Sequence, residues 1–531
     1  MGRPESLPRP DSFYGWPLAV PSPVHLLNPP WAAPLFAAGL LLVASGPVFA
    51  QRWTVEPSVS SQLSWTSNSL LGAGAAQDDT VLDVRPRVTM LGEGSRLRIA
   101  GSAALNGITY LDRTRPSRVL PEGDLTARLE AIERWLYLEA AIRAAQTSSD
   151  PFGVRTDASS TSNTVTTTQA RFSPNVETAI GPFMRYRIRS DNTWTKESKA
   201  DAAAAGAAGA GGYFGRHSML LEHDPRPLGW RVEAARSNTR YDDDVTAPLV
   251  SDLARLSVDY SVAEDLSVGL RGGYERNNFV AREPHNTIYG AQARWQPTPR
   301  TRLTADGEQR FFGPAWSLGF DHRTPQFAMT VSASRAVQSA PQSLFEIPAT
   351  GNVEALLQAM FTTRFPDPAE RSRVVQKFMA DQGLPSATLG AMSLYSQRLS
   401  LITSRSGSVG VTGSRNSLVL SGFYVRTEDV PDLVGLAAGL PANNNLQYGT
   451  GLTFSHRLAP TVSLGATVDW SRIRALVASE LTTQRGARVQ MSVQVAPKTS
   501  AVFGGRYRKL ESTVSVPGHE GSVYAGLDHR F

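Results

Sequence analysis

At 531 residues the chain exceeds one ordinary globular core. With 41% hydrophobic residues, a mean hydropathy of −0.22 and a single long apolar run, it is too polar for a bundle of membrane helices. A net charge of +6 without any Lys/Arg-rich run or binding motif argues against nucleic acid, and the absence of cysteine removes disulfides, Cys-ligated zinc and thiol chemistry.

The first element is a leader. PLFAAGLLLVASGPVFA, residues 34–50, has an apolar run followed by small residues, and Val48-Phe49-Ala50 fits a signal-peptidase site before Gln51. A single membrane anchor is the competing reading, but the run is shorter than the ~20 residues a spanning helix needs. Residues 1–30 are Pro-rich, and Arg3 and Arg9 are offset by Glu5 and Asp11, unlike a short basic n-region. The expectation is a start assigned upstream of the true one, with residues 1–50 as leader and 51–531 as the mature domain. A cysteine-free mature chain also suits passage through an oxidising periplasm.

From Trp53 onward the dominant period is two. Val462, Leu464, Ala466, Val468 and Trp470 alternate with Ser463, Gly465, Thr467, Asp469 and Ser471, and Leu136–Arg143 and Val489–Val495 behave alike. Such alternation places apolar groups on one sheet face and polar groups on the other. Segments of ten residues or more are longer than the ~5–6 of sandwich strands and match tilted strands crossing a bilayer. Aromatic residues near segment ends (Trp53, Trp65, Trp194, Trp230, Tyr241, Trp295, Phe311, Phe312) suit interfacial girdles. Tight turns fall at Gly92-Glu93-Gly94, near Glu133, and at Gly181-Pro182, Asp224 to Gly229, Ala263-Glu264-Asp265 and Pro297-Thr298-Pro299. The series continues at Thr324-Pro325, Gly413-Ser414, Ala459-Pro460 and Pro497-Lys498. Longer links alternate with them. The expected fold is all-β, a transmembrane antiparallel up-and-down β-barrel of about 22 strands (range about 20–24). Strands are expected to begin within a few residues of Gln51, which counts against a receptor-type transporter with an N-terminal plug.

Two links stand out. AAAAGAAGAGG, 202–212, reads as a flexible outer loop of small residues. The long extracellular loop 339–394 carries helix signals instead. Asp367 as N-cap, Pro368 at the first helical position and Glu370 at N3 start one helix, with an apolar stripe at Val374, Val375, Phe378 and Met379 and a stop at Gly383. A second helix is expected from Glu354 to Phe361. The loop serves either as a lid or plug over the pore or as an external layer covering the rim.

No catalytic motif is present, and neither cofactor nor metal is expected. His217 and His223 share a strand face but stand too far apart to share a metal, and the neighbours in Asp321-His322 and Asp528-His529 point to opposite faces. The expected protein is not an enzyme. Arg185, Arg187 and Arg189 share the face opposite Met184, Tyr186 and Ile188, and are expected in the lumen with Arg231, Arg255, Arg271, Arg294, Arg506 and Arg508. Acidic lumen residues are Glu139, Glu233, Asp259, Glu275 and Asp469. The basic set either builds a field for anionic solutes or reflects the ordinary polarity of a wet lumen.

The chain ends SVYAGLDHRF. Val523, Ala525, Leu527, His529 and Phe531 are read as outward, and the last strand is expected to close on the first, near Trp53 to Trp65. Tyr524, Gly526, His529 and Phe531 resemble the C-terminal signal by which barrel-assembly machinery recognises its clients, with His529 where an aromatic or apolar residue is usual.

Several segments carry a wider likeness: WTVEPSVSSQLSWTSNSLLG (53–72), DVRPRVTMLGEGSRLRIAGSAALNGITYL (83–111), SSDPFG (148–153) and SRNSLVLSGFYVRTEDV (414–430). In layout and in these segments the chain resembles the outer-membrane proteins associated with the exosortase/PEP-CTERM sorting system. The resemblance brings no active-site residues. It implies a place in the Gram-negative outer membrane, among its lipid and lipopolysaccharide, and a role with exopolysaccharide or its export apparatus. A general diffusion porin, a surface-anchoring barrel and a membrane-embedded hydrolase are the alternatives.

Overall fold

The computed structural model describes residues 52–531 apart from 149, 156–162, 200–210, 243–245, 281–284, 340–352, 386–388, 393–398 and 431–443. The leader and the cleavage site before Gln51 lie outside the described residues, as does the Ala/Gly loop up to residue 210.

Period-two alternation becomes one 22-stranded antiparallel sheet in which each strand pairs with its neighbours in sequence. The first strand, β1 (Arg52–Thr66), also pairs with the last, β22 (Gly518–Arg530), from Ser58 opposite Arg530 to Thr66 opposite Ser522. Closure removes the free edges that lipid could not hydrogen-bond. Apolar side chains point outward and are exposed, as at Leu270 (73%) and Val468 (57%), while the alternate residues Ser463 and Ser471 are 3% and 2% exposed. An exterior of that kind, on a closed sheet, is the surface of a transmembrane barrel. The sequence range of about 20–24 strands resolves at 22.

Tight links fall at 94–96, 133–135, 181–183, 224–227, 264–265, 299–300, 324–326, 413–415, 460–461 and 497–498. In an up-and-down barrel these lie at one end, the turn end; the other links form the loop end. Trp295 and Trp135, near the turn end, are half-exposed and keep their ring N–H bonded, to Asp265 (3.1 Å) and Tyr186 (3.1 Å). Apolar body and polar tip suit the membrane interface. Tyr241, Phe311 and Phe312 do not join a girdle. They pack with Leu249, Phe279 and Val280 in a buried cluster at the loop end.

One glycine is dictated by packing. Tyr524 lies across Gly504, its partner on β21 (Thr499–Ser512), and a Cβ there would stand 2.4 Å from the Tyr524 hydroxyl. The ring covers the bare backbone and offsets the weakness of glycine within a strand.

The long link joins β15 (Phe327–Ser339) to β16 (Leu399–Thr412) and contains α1 (Val353–Phe361) and α2 (Pro368–Gln382). Asp367 caps α2 by accepting from the Glu370 N–H at 2.7 Å, and Gly383 ends it at φ 64°. These local choices satisfy helix-end groups and send the chain back on itself. The helices are joined by Phe361 against Phe378 (5.4 Å, edge-on) and by Arg371, which donates to Gln358 (3.0 Å) on α1.

The hairpin is not an outer layer on the rim. It leaves the barrel at the loop end but sits inside the lumen, near the turn end. Val353, Leu356, Leu357, Met360, Val375, Met379 and Leu384 form a buried cluster with Ala328 and Val419 of the wall. Ala328 and Val419 lie within a few residues of tight links. Thr412, the last residue of β16, donates to the Met360 sulfur at 3.5 Å. The physical reason is apolar burial: inside the barrel the stripe leaves water by packing on itself and on Ala328 and Val419.

Candidate functional site

The candidate site is the lumen together with the hairpin that occupies it. Its wall has two unlike arcs, and strand register decides which residues face inward on each.

The first arc carries charge. On β7 (Met184–Lys199) the lumenal face presents Arg185, Arg187 and Arg189. Each meets at least one carboxylate from another strand. Arg185 is 3.2 Å from Glu222 and 2.8 Å from Asp224. Arg187 forks onto Glu177 at 3.1 and 2.9 Å. Arg189 reaches Glu139 at 2.8 Å and Asp191 at 2.9 Å. Arg231 meets Glu222 at 3.4 Å. Such cross-strand pairs are charge-assisted and geometrically fixed.

The densest part of this arc lies on β10 (Leu249–Ala263), β11 (Leu266–Asn277) and β13 (Thr301–Arg310). Glu308, 5% exposed at its side chain, is shared by Arg255 (3.4 Å), Arg271 (2.9 Å) and Arg310 (3.0 Å). Arg271 also holds Asp306 at 2.7 Å, and Arg255 reaches Glu233 at 3.8 Å. Glu275 accepts from Arg310 (2.7 Å) and from the Phe311 N–H (2.7 Å), and Asp259 accepts from Gln292. Across the barrel Arg506 pairs with Glu520 at 2.9 Å, and Arg508 stands opposite Glu520 in the ladder. Arg294 is exposed on the lumenal parity of its strand near the turn end, and Asp469 is lumenal by the same rule.

The basic residues therefore do not form a bare positive ring. Sequence reading named one charge of most pairs and overlooked Arg310, Asp306, Glu308, Glu177, Glu222 and Glu520. The missing signal was the register between strands, since most partners stand on another strand, one to three strands away around the wall.

The second arc is nearly uncharged. β15, β16, β17 (Asn416–Asp429), β18 (Asn445–Ala459), β19 (Val462–Ala475) and β20 (Leu481–Ala496) point mostly Ser, Thr, Gly and Gln inward. Ser332 and Ser406 share a hydrogen bond (2.7 Å), as do Ser334 and Ser404 (2.9 Å). Against this carpet the hairpin docks. The Ser455 hydroxyl donates to the Gln382 carbonyl, and Gln490 donates to the Gly383 carbonyl at 3.1 Å. Gly410 lets α1 approach closely: a Cβ there would stand 2.7 Å from the Met360 methyl, which would have to move. Beyond α2, Met392 lies against β18, where its N–H donates to Gln447 at 2.9 Å.

Near the loop end a second obstruction comes from the link after β5 (Leu136–Ser148). Phe152 packs on Met392, Ile473 and Ala475, and its carbonyl accepts from Thr482 at 2.8 Å. Val154 packs on Leu71 and Leu510. Arg155 donates to the Gly390 carbonyl, and burial pushes its guanidinium down to about 10, opposed by the charge of Asp469. The chain's own links thus fill much of the lumen. A cavity of about 510 Å³ remains between the start of α2 (Pro368, Ser372) and a stretch of wall that carries Arg98, Arg128 and Arg189. Another, about 300 Å³, lies at its loop end beside Arg255 and Arg310.

At the closing strand Tyr524 faces inward and Val523, Leu527 and Phe531 face outward at 60%, 54% and 62% exposure. Arg488 donates to the Tyr524 hydroxyl at 2.7 Å. Gly526 approaches the Ser61 carbonyl so closely that a Cβ would stand 2.8 Å from it. The Phe531 N–H donates to the Pro57 carbonyl at 3.0 Å, and His529 meets the Phe531 ring edge-on at 4.8 Å. His529 and His322 hydrogen-bond to Thr499 (2.9 Å) and Thr301 (2.8 Å).

The fold and its lumen define a class: a 22-stranded transmembrane barrel obstructed from within. No family model and no curated protein matches the chain. Among solved structures it is similar to the siderophore receptor PirA from Acinetobacter baumannii (TM-score 0.46, 10% identity, 92% of this chain and 81% of that one). It is also similar to PirA from Pseudomonas aeruginosa (0.44, 8%, 92% and 81%) and to Pseudomonas aeruginosa OpdO (0.30, 10%, 90% and 97%). At these values the barrel is read from its own strand ladders, not from the neighbours.

Proposed function

We propose that this chain is an outer-membrane channel, held shut by its own β15–β16 hairpin, that serves exopolysaccharide export or assembly in an exosortase/PEP-CTERM setting. The observation that carries the channel reading is the hairpin seated on a wall of small residues. A 22-stranded barrel is wide enough to need such an occluder, and the hairpin leaves the charged arc lined by open cavities. With short turns on the periplasmic side, the hairpin would stand at the periplasmic mouth. A general diffusion porin needs an open lumen, so the hairpin disfavours that reading. Paired arginines make strong anion selectivity a weaker expectation than the arginines alone would.

The exopolysaccharide link rests on the segmental resemblance. Outer-membrane lipid, lipopolysaccharide and the barrel-assembly machinery are the partners this reading implies, and no catalytic role is assigned. The experiment is conductance of the purified barrel in planar bilayers, with residues 353–385 replaced by a short Gly/Ser linker. The expected result is a near-silent parent and a strongly conducting deletion. Equal, low conductance in both would sink the channel reading in favour of an anchoring barrel. Exosortase and glycosyltransferase genes beside this one would support the setting, and their absence would remove it.

A further inference from the structure

We infer that the cavity at the loop end of the charged arc is a binding site for an uncharged saccharide segment. The inference deepens the export reading, on which it rests for its choice of probe.

One flank of this cavity, of about 300 Å³, is aromatic: Phe214, Phe279, Phe311 and Phe312. These rings are held in place. Phe279 meets Phe311 edge-on at 5.7 Å and Phe311 meets Phe312 at 5.0 Å. The link carrying the last two is only Phe311-Phe312, joining β13 to β14 (Gly313–Arg323), so two aromatic side chains stand at the tip of a hairpin of short strands.

The other flank is charged but balanced. Arg216 lies 3.2 Å from Glu233, Arg255 lies 3.4 Å from Glu308, and Arg310 lies 3.0 Å from Glu308. Behind them Arg271 is held by Asp306 and Glu308. Each of these four guanidinia has a carboxylate partner, and Arg335, at the aromatic side, donates to the Pro314 carbonyl and lies 5.8 Å over the Phe312 ring, so little excess charge is left with which to select an ion. The flank still offers hydrogen bonds, because a guanidinium has five N–H donors and a carboxylate about four lone-pair sites. Ion pairing uses only part of these and fixes the rest in planar geometry. Ser237, Ser251, Ser317 and Ser334 add hydroxyls between the flanks.

A ligand for such a site has an apolar face, a rim of hydroxyls and no net charge. A pyranose ring has all three. Its C–H face fits an aromatic flank, and its neighbouring hydroxyls can donate to a carboxylate and accept from a guanidinium. The volume stands at the small end of ligand pockets, which suits a short segment of polymer and not a folded protein.

The test uses the full barrel in detergent, titrated calorimetrically with maltohexaose as the neutral probe and an oligogalacturonate of equal length as the acidic one. Maltohexaose is expected to bind, with little dependence on salt. Phe311→Ala should weaken it roughly tenfold, the scale of one lost aromatic contact. Ser251→Tyr, which fills the cavity at the cost of one hydroxyl, should abolish binding while the variant keeps the heat-modifiable gel migration of a folded barrel. No binding by the folded parent, tighter binding of the acidic probe, or binding indifferent to both variants would each overturn the site. Conductance of the same preparation separates the two readings. A barrel that binds maltohexaose through these residues but stays silent after hairpin deletion refutes the channel and keeps the site. A deletion that conducts in a barrel that binds neither probe does the reverse.

Discussion

The two arcs of the lumen solve different problems with the same backbone. From β5 to β13 long side chains of opposite sign face inward and satisfy one another across strands. From β15 to β20 the inward residues are short and mostly uncharged, and a helical hairpin covers them. Short hydroxyl and glycine positions let helices approach the wall closely, as Gly410 does for Met360. A wall of paired arginines could not accept the same apolar cluster without stranding charge. The contrast teaches that the occluder is specified twice, by its own stripe and by the texture of the wall opposite.

The sharpest way to break this contrast is to place charge in the hairpin's contact. Leu357, 1% exposed, packs in the cluster with Val419 and Ala328. Leu357→Asp buries an unpaired carboxylate, at a cost on the order of 4 kcal/mol or more. The hairpin should leave its seat, and trypsin should then cleave after Arg364 or Lys377 in a chain that otherwise resists it. Resistance unchanged from the parent would mean the hairpin is not held by this cluster.

A substitution on the wall asks the same question from the other side. Gly410→Leu forces Met360 away and should cost about 1–3 kcal/mol of docking energy, with intermittent channel openings as the readout. The same residue at Ala141, on the lumenal face of the charged arc, should leave the closed state unaltered. If the two behave alike, the arcs are not functionally distinct.

On the charged arc the largest effect should come from Glu308→Gln. It leaves Arg255, Arg271 and Arg310 with one carboxylate fewer at a nearly buried position, and roughly 3 kcal/mol of stability is at stake. Urea midpoints measured on the refolded barrel would register it, and the hairpin-deleted pore should shift toward anions in reversal-potential measurements. The smallest effect belongs to Arg185→Ala. Arg185 and Asp224 are about half-exposed, and Glu222 keeps Arg231 as a partner, so the change should stay under about 1 kcal/mol, visible only as a shift of pore selectivity toward cations.

Much of the barrel is legible in the sequence, because a closed sheet makes demands that each strand must meet locally. Alternation at Val462–Ser471 follows from lipid outside and water inside. Tight links such as Gly181-Pro182 and Ala459-Pro460 mark every second reversal, and the even strand number follows from ends that meet. The caps at Asp367 and Gly383 are similarly local, since a helix terminus must satisfy its own orphan groups within a few residues.

What the sequence could not determine lies between residues distant along the chain. Which acid answers Arg255 depends on β13 standing three strands from β10 around the wall, with its register set through β11 and β12. Whether the 339–394 helices cover the rim or descend into the lumen depends on Ala328 and Val419, and on the uncharged texture assembled from six separate strands. Tyr241, Phe311 and Phe312 look like girdle aromatics in isolation, and only their packing on Leu249 and Phe279 moves them to the loop-end cluster. Parity along one strand fixes a face; it is the register between strands that brings opposite charges together and decides where an apolar stripe finds its cover.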